Sequence, residues 1–167
     1  RFDGFSPAAQ ILTAFPQPVD LEGLAQQDQF DASLLDDSPT VLMDLRSGER
    51  IPHFVETDVR WFDGFDASRS DLPVLLYLRP AVRLQEDGWY GVALRGLRLE
   101  DGSDAPVDPV FAALRDAVIT TSTVVEEARP RFDALFDALE AGGVPRDDLI
   151  QAWDWRTASG DVIRGDL

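Results

Sequence analysis

The sequence has 167 residues, of which 15 are basic and 31 acidic, and 44% are hydrophobic, so its formal net charge is −16. The hydrophobic share excludes general disorder, and the length suits one domain with its own core. Because the chain has no Cys, it can form no disulfide and no thiolate site. It also has no Lys, and its acidic net charge argues against nucleic-acid binding.

The missing Lys and Asn indicate either a GC-rich genome or a surface adapted to high salt or to the extracellular medium, and both readings stay open. No apolar run approaches the roughly 18 residues of a membrane-spanning helix. Arg1 opens the chain and no signal-peptide pattern follows it. We therefore expect a processed product or a segment of a longer precursor.

The first half of the chain shows the alternation typical of strands. Residues 11–15 alternate ahead of two prolines, which favours an edge strand. Residues 20–37 indicate a short helical turn and a loop. A strand is predicted over 40–46, followed by a tight turn at Ser47-Gly48 and a partner strand over 50–61.

The next elements also predict β structure. Residues 63–71 have the composition of a loop. Residues 72–80 are apolar on both faces, which predicts a central strand. Residues 89–97 predict another strand, whose core face carries Tyr90, Val92 and Leu94, and Asp101-Gly102 is a turn signal.

Two helices interrupt this β pattern. Asp108 precedes Pro109 as a plausible cap, and apolar residues at helical spacing follow. After a Thr/Ser run over 120–123, residues 126–143 give the clearest helix, which ends at Gly142-Gly143.

The chain closes with a strand over 148–159, for which we predict Leu149, Trp153 and Trp155 on one face. Six or seven strands with two adjacent helices predict a mainly β, antiparallel sandwich rather than alternating βαβ units. The chain is thus expected to form a single domain, 1–167, with a two-helix insertion at about 106–147 before the last strand.

No motif of a known catalytic site is present. His53 is the single histidine, and we interpret it as a packed or surface residue, since a triad would also need a nucleophile and an acid. No G-x-S-x-G elbow, phosphate-binding loop or dinucleotide fingerprint occurs. The sequence predicts no catalytic and no cofactor-binding residue.

Carboxylates are the remaining candidates. Glu56 and Asp58 share a predicted strand face, where paired carboxylates could act in acid–base catalysis or bind a cation. The alternative is that they lie on a solvated face and pair with Arg60 or another Arg. Acidic loops offer oxygen ligands to calcium at Asp36-Asp37, at Asp63 with Asp66, and at Asp101 with Asp104. None has regular calcium-loop spacing, so we predict no metal site.

Aromatic residues and one arginine complete the candidates. The four tryptophans suit either sugar stacking or core packing, and we favour the core: Trp61, Trp89, Trp153 and Trp155. Arg79 closes an apolar strand and is expected to pair with Asp154 or Glu86 as a stabilising contact.

Three segments carry a family resemblance: DGFSPAAQILTAFPQPVD (3–20), LYLRPAVRLQEDGWYGVALRGLRLEDG (76–102) and AWDWRTAS (152–159). Together they resemble a bacterial immunoglobulin-like (Ig-like) β-sandwich module, most similar to the N-terminal region of large secreted or surface bacterial lipases and esterases of the virulence-factor lipase type. Trp155-Arg156 departs from the aromatic-Thr pair of that module, and the helical insertion is longer than the module has.

The resemblance implies a non-catalytic accessory or interaction domain of an exported bacterial protein, with the catalytic Ser elbow in a downstream domain. Its partner would be that domain or another protein, at the cell surface or outside the cell. The alternatives are a structural subunit of an extracellular assembly, whose strands would add to neighbouring subunits, and, less favoured, a hydrolase in its own right.

Overall fold

A computed structural model describes residues 3–57 and 73–160. Seven strands, two α-helices and two 3-10 turns follow one another in this part of the chain. The strands are β1 (Ile11–Phe15), β2 (Thr40–Asp44), β3 (Glu49–Arg50), β4 (His53–Thr57), β5 (Val74–Pro80), β6 (Trp89–Arg95) and β7 (Leu149–Arg156). The helices are α1 (Pro109–Arg115) and α2 (Thr123–Ala141), and the 3-10 turns are Phe30–Leu34 and Arg146–Asp148.

The strands form two antiparallel sheets. One has the order β1-β5-β4 and the other the order β3-β2-β6-β7, and every pairing within them is antiparallel. Both helices lie between β6 and β7 in the chain. The prediction of a mainly β fold with antiparallel sheets and a helical insertion before the last strand is therefore confirmed.

The two sheets share one hydrophobic core, as in a sandwich. The inward residues of β1, β4 and β5 meet those of β2 and β6. The predicted core face of β6 is confirmed, since its three residues are buried in this core: Tyr90, Val92 and Leu94. The predicted edge position of β1 and central position of β5 are also confirmed.

A second core lies on the other face of the four-stranded sheet. There α1 and α2 pack Phe111, Leu135, Phe136 and Leu139 against the sheet. Strand β2 is consequently enclosed on both sides, and Val41, Leu42 and Met43 are all fully buried. The fold therefore has three layers, with the helices as the third.

The helix boundaries follow local signals. The Asp108 carboxylate accepts hydrogen bonds from the backbone N–H groups of Val110 and Phe111, which confirms the predicted cap of α1. Helix α2 begins at Thr123, inside the predicted Thr/Ser run, and ends at the predicted Gly142-Gly143 pair. Gly143 has φ +81°, a conformation that glycine adopts without strain.

The predicted return strand over 50–61 is wrong as a single element. The backbone N–H of Ile51 still bonds the Leu42 carbonyl, but Pro52 has no N–H to continue the ladder. The chain crosses there to the other sheet, where β4 pairs with β5. Residues 58–61 of this prediction, and the loop predicted over 63–71, lie outside the described residues.

The predicted common face of Leu149, Trp153 and Trp155 is also wrong. A register shift at Leu94/Arg95 marks a bulge between β6 and β7, which changes the side-chain phase. Leu149 consequently packs in the helix-side core, whereas both tryptophans pack against the core between the sheets.

Candidate functional site

His53 is a buried structural residue. Its side chain is 0% exposed, and its ring lies between Thr40 of the four-stranded sheet and the Ile51 carbonyl. The Nδ1–H donates to that carbonyl at 3.0 Å, so a neutral ring accepts the Thr40 hydroxyl at Nε2, also at 3.0 Å. Burial lowers the pKa of His53 from 6.5 to about 4. The interpretation of His53 as a packed residue is confirmed.

Glu56 is held in an ion pair across the sheet. Its carboxylate accepts a hydrogen bond from Arg79 on β5, and the Arg79 guanidinium also lies over the Tyr77 ring. The pairing of Glu56 with a neighbouring Arg is therefore confirmed. The expectation that Arg79 would pair with Asp154 or Glu86 is wrong, because the diagonal neighbour on β4 is closer than either loop.

Two residues of the candidate calcium loops make local contacts. Asp101 accepts hydrogen bonds from the N–H and hydroxyl of Ser103, which lower its pKa. The Asp36 carbonyl accepts from Arg50 and Arg95. Within residues 3–57 and 73–160, no three acidic or His side chains converge. Asp58, Arg60, Trp61, Asp63 and Asp66 lie outside the described residues.

The remaining tryptophans are partly buried. Trp89 donates its indole N–H to the Asp154 carboxylate at 2.7 Å, and that carboxylate also binds Arg131 of α2. Trp155 packs 6.0 Å from the Tyr90 ring, and Trp153 lies two residues before it on the same face. Core packing accounts for one side of each ring, while Trp153 and Trp155 also line a surface pocket.

That pocket is one half of a groove along the outer edge of β7. The first half encloses about 640 Å³ between the end of β1, residues 150–152 of β7 and both helices. The second encloses about 340 Å³ between residues 9–12, Arg131 and residues 153–155. Because the two halves follow β7 in succession, we name the whole the β7 groove. No local sequence signal indicated it, since its walls are far apart in the chain.

The walls of the β7 groove differ in character. Its first half is mostly apolar, with Phe111, Val125 and Phe132 among its lining residues. Asp108 is the one charged residue that lines this half within the described part of the chain. Across the groove, the Thr13 hydroxyl of β1 donates to the Gln151 side chain of β7 at 2.9 Å, which fixes the spacing of the two strands.

The helical wall is anchored at the start of α2. Glu126 accepts two hydrogen bonds from the Arg129 guanidinium and further bonds from the N–H and hydroxyl of Thr120. The Arg129 contact contributes most to lowering the pKa of Glu126 to about 2. Arg129 also reaches the carbonyls of Ala113 and Val118, so the same contacts join α2 to α1.

Arg146, which follows α2, makes a second set of contacts at the same C-terminal end of α1. Its guanidinium donates to the Leu114 and Arg115 carbonyls and lies 4.4 Å over the Phe136 ring. These bonds satisfy carbonyls that a helix end leaves free. Arg129 and Arg146 therefore both hold the C-terminal end of α1.

No helix in the described ranges is both long and apolar enough to cross a membrane. The sequence matches no model of a known protein family, and no curated protein is significantly similar to it.

Proposed function

We propose that this chain is a non-catalytic, Ig-like accessory or interaction domain of an exported bacterial protein, associated with a lipase or esterase. Its role is to position a hydrolase domain of the same precursor or to dock it to a surface. The proposal draws its lipase association from the resemblance of residues 3–20, 76–102 and 152–159 to modules of that kind.

The strand order is the observation that carries the Ig-like part of the proposal. In immunoglobulin sandwiches one sheet contains strands B, E and D, and the other contains C′, C, F and G. The orders β1-β5-β4 and β3-β2-β6-β7 correspond to these strands one by one. Phe5, ahead of β1, forms a parallel bridge with Thr157 after β7, so the chain enters the sandwich beside its last strand.

The surroundings of the ionisable residues considered as catalytic candidates support an accessory role. His53 is enclosed between the two sheets, and Glu56 is used in a cross-strand ion pair. Both residues serve the sandwich itself. The pockets on the described surface lie elsewhere, among them the β7 groove, whose first half is mostly apolar and suits binding rather than proton transfer.

The complete gene product provides the test. We expect it to contain a G-x-S-x-G elbow in a strand-to-helix context beyond residue 167. The remainder of that product, expressed separately, should bind the 167-residue chain in calorimetric titration. A gene product that ends near Leu167, or a remainder without a hydrolase elbow, contradicts the lipase association.

The position of β7 at the edge of its sheet favours a second candidate, a structural subunit of an extracellular assembly. Such a subunit would associate with its own copies through strand addition. Light scattering coupled to size-exclusion chromatography separates the two candidates. A monomer at high protein concentration supports the accessory domain, and concentration-dependent oligomers support the subunit.

A further inference from the structure

We propose that the first half of the β7 groove binds a small, uncharged, apolar molecule that carries one hydrogen-bond acceptor, such as a ketone. The inference goes beyond the proposed function, because it assigns a ligand site to the domain itself. It requires neither a downstream hydrolase nor a second copy of the chain.

The size of this pocket is the first argument. It encloses about 640 Å³, and sites for small molecules typically enclose roughly 300–1,000 Å³. The hydrogen bond between Thr13 and Gln151 lies between it and the second half of the groove, so the two halves are separate pockets. A pocket closed in this way suits a compact molecule better than an extended chain.

The apolar lining is the second argument. Four of the lining side chains are less than a tenth exposed: Phe15, Phe111, Leu114 and Val125. The first belongs to the core between the sheets and the others to the helix-side core, so both cores reach the surface in this pocket. Val110 and Val124 also line it and are 49% and 76% exposed. A bound molecule would remove this apolar surface from water, which favours binding.

The polar side chains of the lining exclude a charged ligand. Asp108 and Gln151 are the two polar side chains that line the pocket within the described ranges, and no basic residue lines it there. A charged group that leaves water needs a partner of opposite charge, and an anion finds none here. The Asp108 carboxylate is exposed and already accepts two backbone hydrogen bonds as the cap of α1, so its pairing with a cation would contribute little.

Gln151 provides the hydrogen-bonding group for the ligand. Its side-chain oxygen accepts the Thr13 hydroxyl at 2.9 Å, and its NH₂ group has no hydrogen-bond partner within residues 3–57 and 73–160. Gln151 is half-buried, so a ligand that covers the pocket without bonding this donor would leave it unsatisfied. A carbonyl oxygen on an otherwise apolar molecule is the complement of this donor.

The walls of the pocket are held in place by contacts within the protein. Arg129 donates to the Ala113 and Val118 carbonyls, which joins α2 to α1 on one side. The hydrogen bond between Thr13 and Gln151 joins β1 to β7 on the other. Small-molecule sites are largely preformed, because rigid walls lose little entropy when a ligand binds.

Three compounds of nearly the same shape test the proposal: acetophenone, a neutral ketone; ethylbenzene, which lacks the oxygen; and benzoate, which carries a carboxylate. Heteronuclear NMR titration of the 167-residue chain measures each Kd and shows which backbone amides respond. We expect acetophenone and ethylbenzene to bind at one site with a Kd of about 1 mM, and to shift the amides of lining residues such as Ala128 and Ala152. Benzoate should bind at least about tenfold more weakly than acetophenone.

A pair of variants tests the role of the Gln151 amide. Gln151→Leu should weaken acetophenone binding by about fivefold or more and leave ethylbenzene binding within about twofold, because only the ketone accepts a hydrogen bond. Thr13→Val is the matched control, because it breaks the same interstrand bond at a residue outside the lining and keeps the amide. Thr13→Val should leave acetophenone binding nearly unchanged.

A second pair of variants locates the site. Ala128 lines the pocket from α2, whereas Ala134 lies on the same helix, exposed and outside the lining. Ala128→Phe should fill the pocket and weaken binding of both neutral compounds by about tenfold or more, and Ala134→Phe should leave it unchanged. Far-ultraviolet circular dichroism checks that the variants fold, and the comparison of acetophenone with benzoate needs no variant.

Four results would overturn the proposal: no saturable binding of acetophenone, benzoate binding as tight as that of acetophenone, equal effects of Gln151→Leu on ketone and hydrocarbon, or acetophenone binding that survives Ala128→Phe. The first result would leave the pocket as a surface for a protein partner. Because this experiment uses only the 167-residue chain and small molecules, its failure is distinct from that of the calorimetric test of the accessory role.

Discussion

Acid should destabilise this domain through His53, and replacing that residue with Gln should remove the effect. The buried ring is neutral in the folded protein, with its pKa lowered from 6.5 to about 4. In the unfolded chain His53 has its ordinary pKa, so it binds a proton as soon as the pH falls below about 6.5. Between those two values the unfolded state therefore binds more protons, and the free energy of unfolding falls as the pH falls.

The size of the effect follows from the two pKa values. At pH 7.5 both states hold His53 neutral, whereas at pH 5 the unfolded state is almost fully protonated and the folded state is not. Linkage then gives a loss of about 2 kcal/mol between about pH 7.5 and pH 5. Gln does not titrate and is able to keep a hydrogen bond to Thr40, which makes His53→Gln the appropriate comparison.

Urea unfolding, followed by tryptophan fluorescence at about pH 7.5 and pH 5, measures this loss. The carboxylates titrate alike in both proteins, so the difference between wild type and His53→Gln isolates the histidine. We expect the wild type to lose about 2 kcal/mol more than the variant over this range. Equal losses in the two proteins would refute the assignment of a buried, neutral His53.

Two further predictions concern packing. Leu139→Ala, in the fully buried helix-side core, should cost about 2–5 kcal/mol in urea unfolding, while Ile119→Ala, at a 75% exposed position, should cost less than about 0.5 kcal/mol; similar costs would contradict the helical layer. Gly4→Ala would place a Cβ 2.6 Å from backbone atoms of Thr157 and Ala158, so hydrogen exchange at the Ala158 amide should accelerate, and unchanged exchange would show that this contact is not formed.

Most of the fold could be predicted from local patterns in the sequence. Alternation located β1 and β6, a continuous apolar run located β5, and the Asp108 cap and the glycine pair located the helix ends. Each of these signals lies within the element that it specifies. The spacing of apolar residues and the capping of a helix depend only on neighbouring residues, so the sequence was sufficient to locate these elements.

The predictions were wrong where tertiary packing overrides the local sequence pattern. Residues 50–61 continue to look like one strand, although Pro52 allows the chain to leave one sheet for the other. The bulge opposite Leu94 changes the face of Leu149 without any local mark. The second buried face of β2 depends on helices about 70 residues further along the chain, which no pattern within β2 can indicate.

The candidate site was less predictable than the fold. The isolated His, the paired carboxylates and the tryptophans drew attention because of their chemistry, and the described ones serve packing or ion pairs. The β7 groove is formed by β1, β7 and both helices, which lie far apart in the chain, so no local pattern could indicate it.

The central claim is that this domain assists a hydrolase and does not itself hydrolyse esters. Turnover of p-nitrophenyl butyrate by the complete gene product, compared with that of the 167-residue chain at equal molar concentration, tests this most directly. We predict turnover by the complete product and none above the buffer rate by the chain alone. Turnover by the isolated chain that disappears when one of its Ser residues is replaced by Ala would contradict the account.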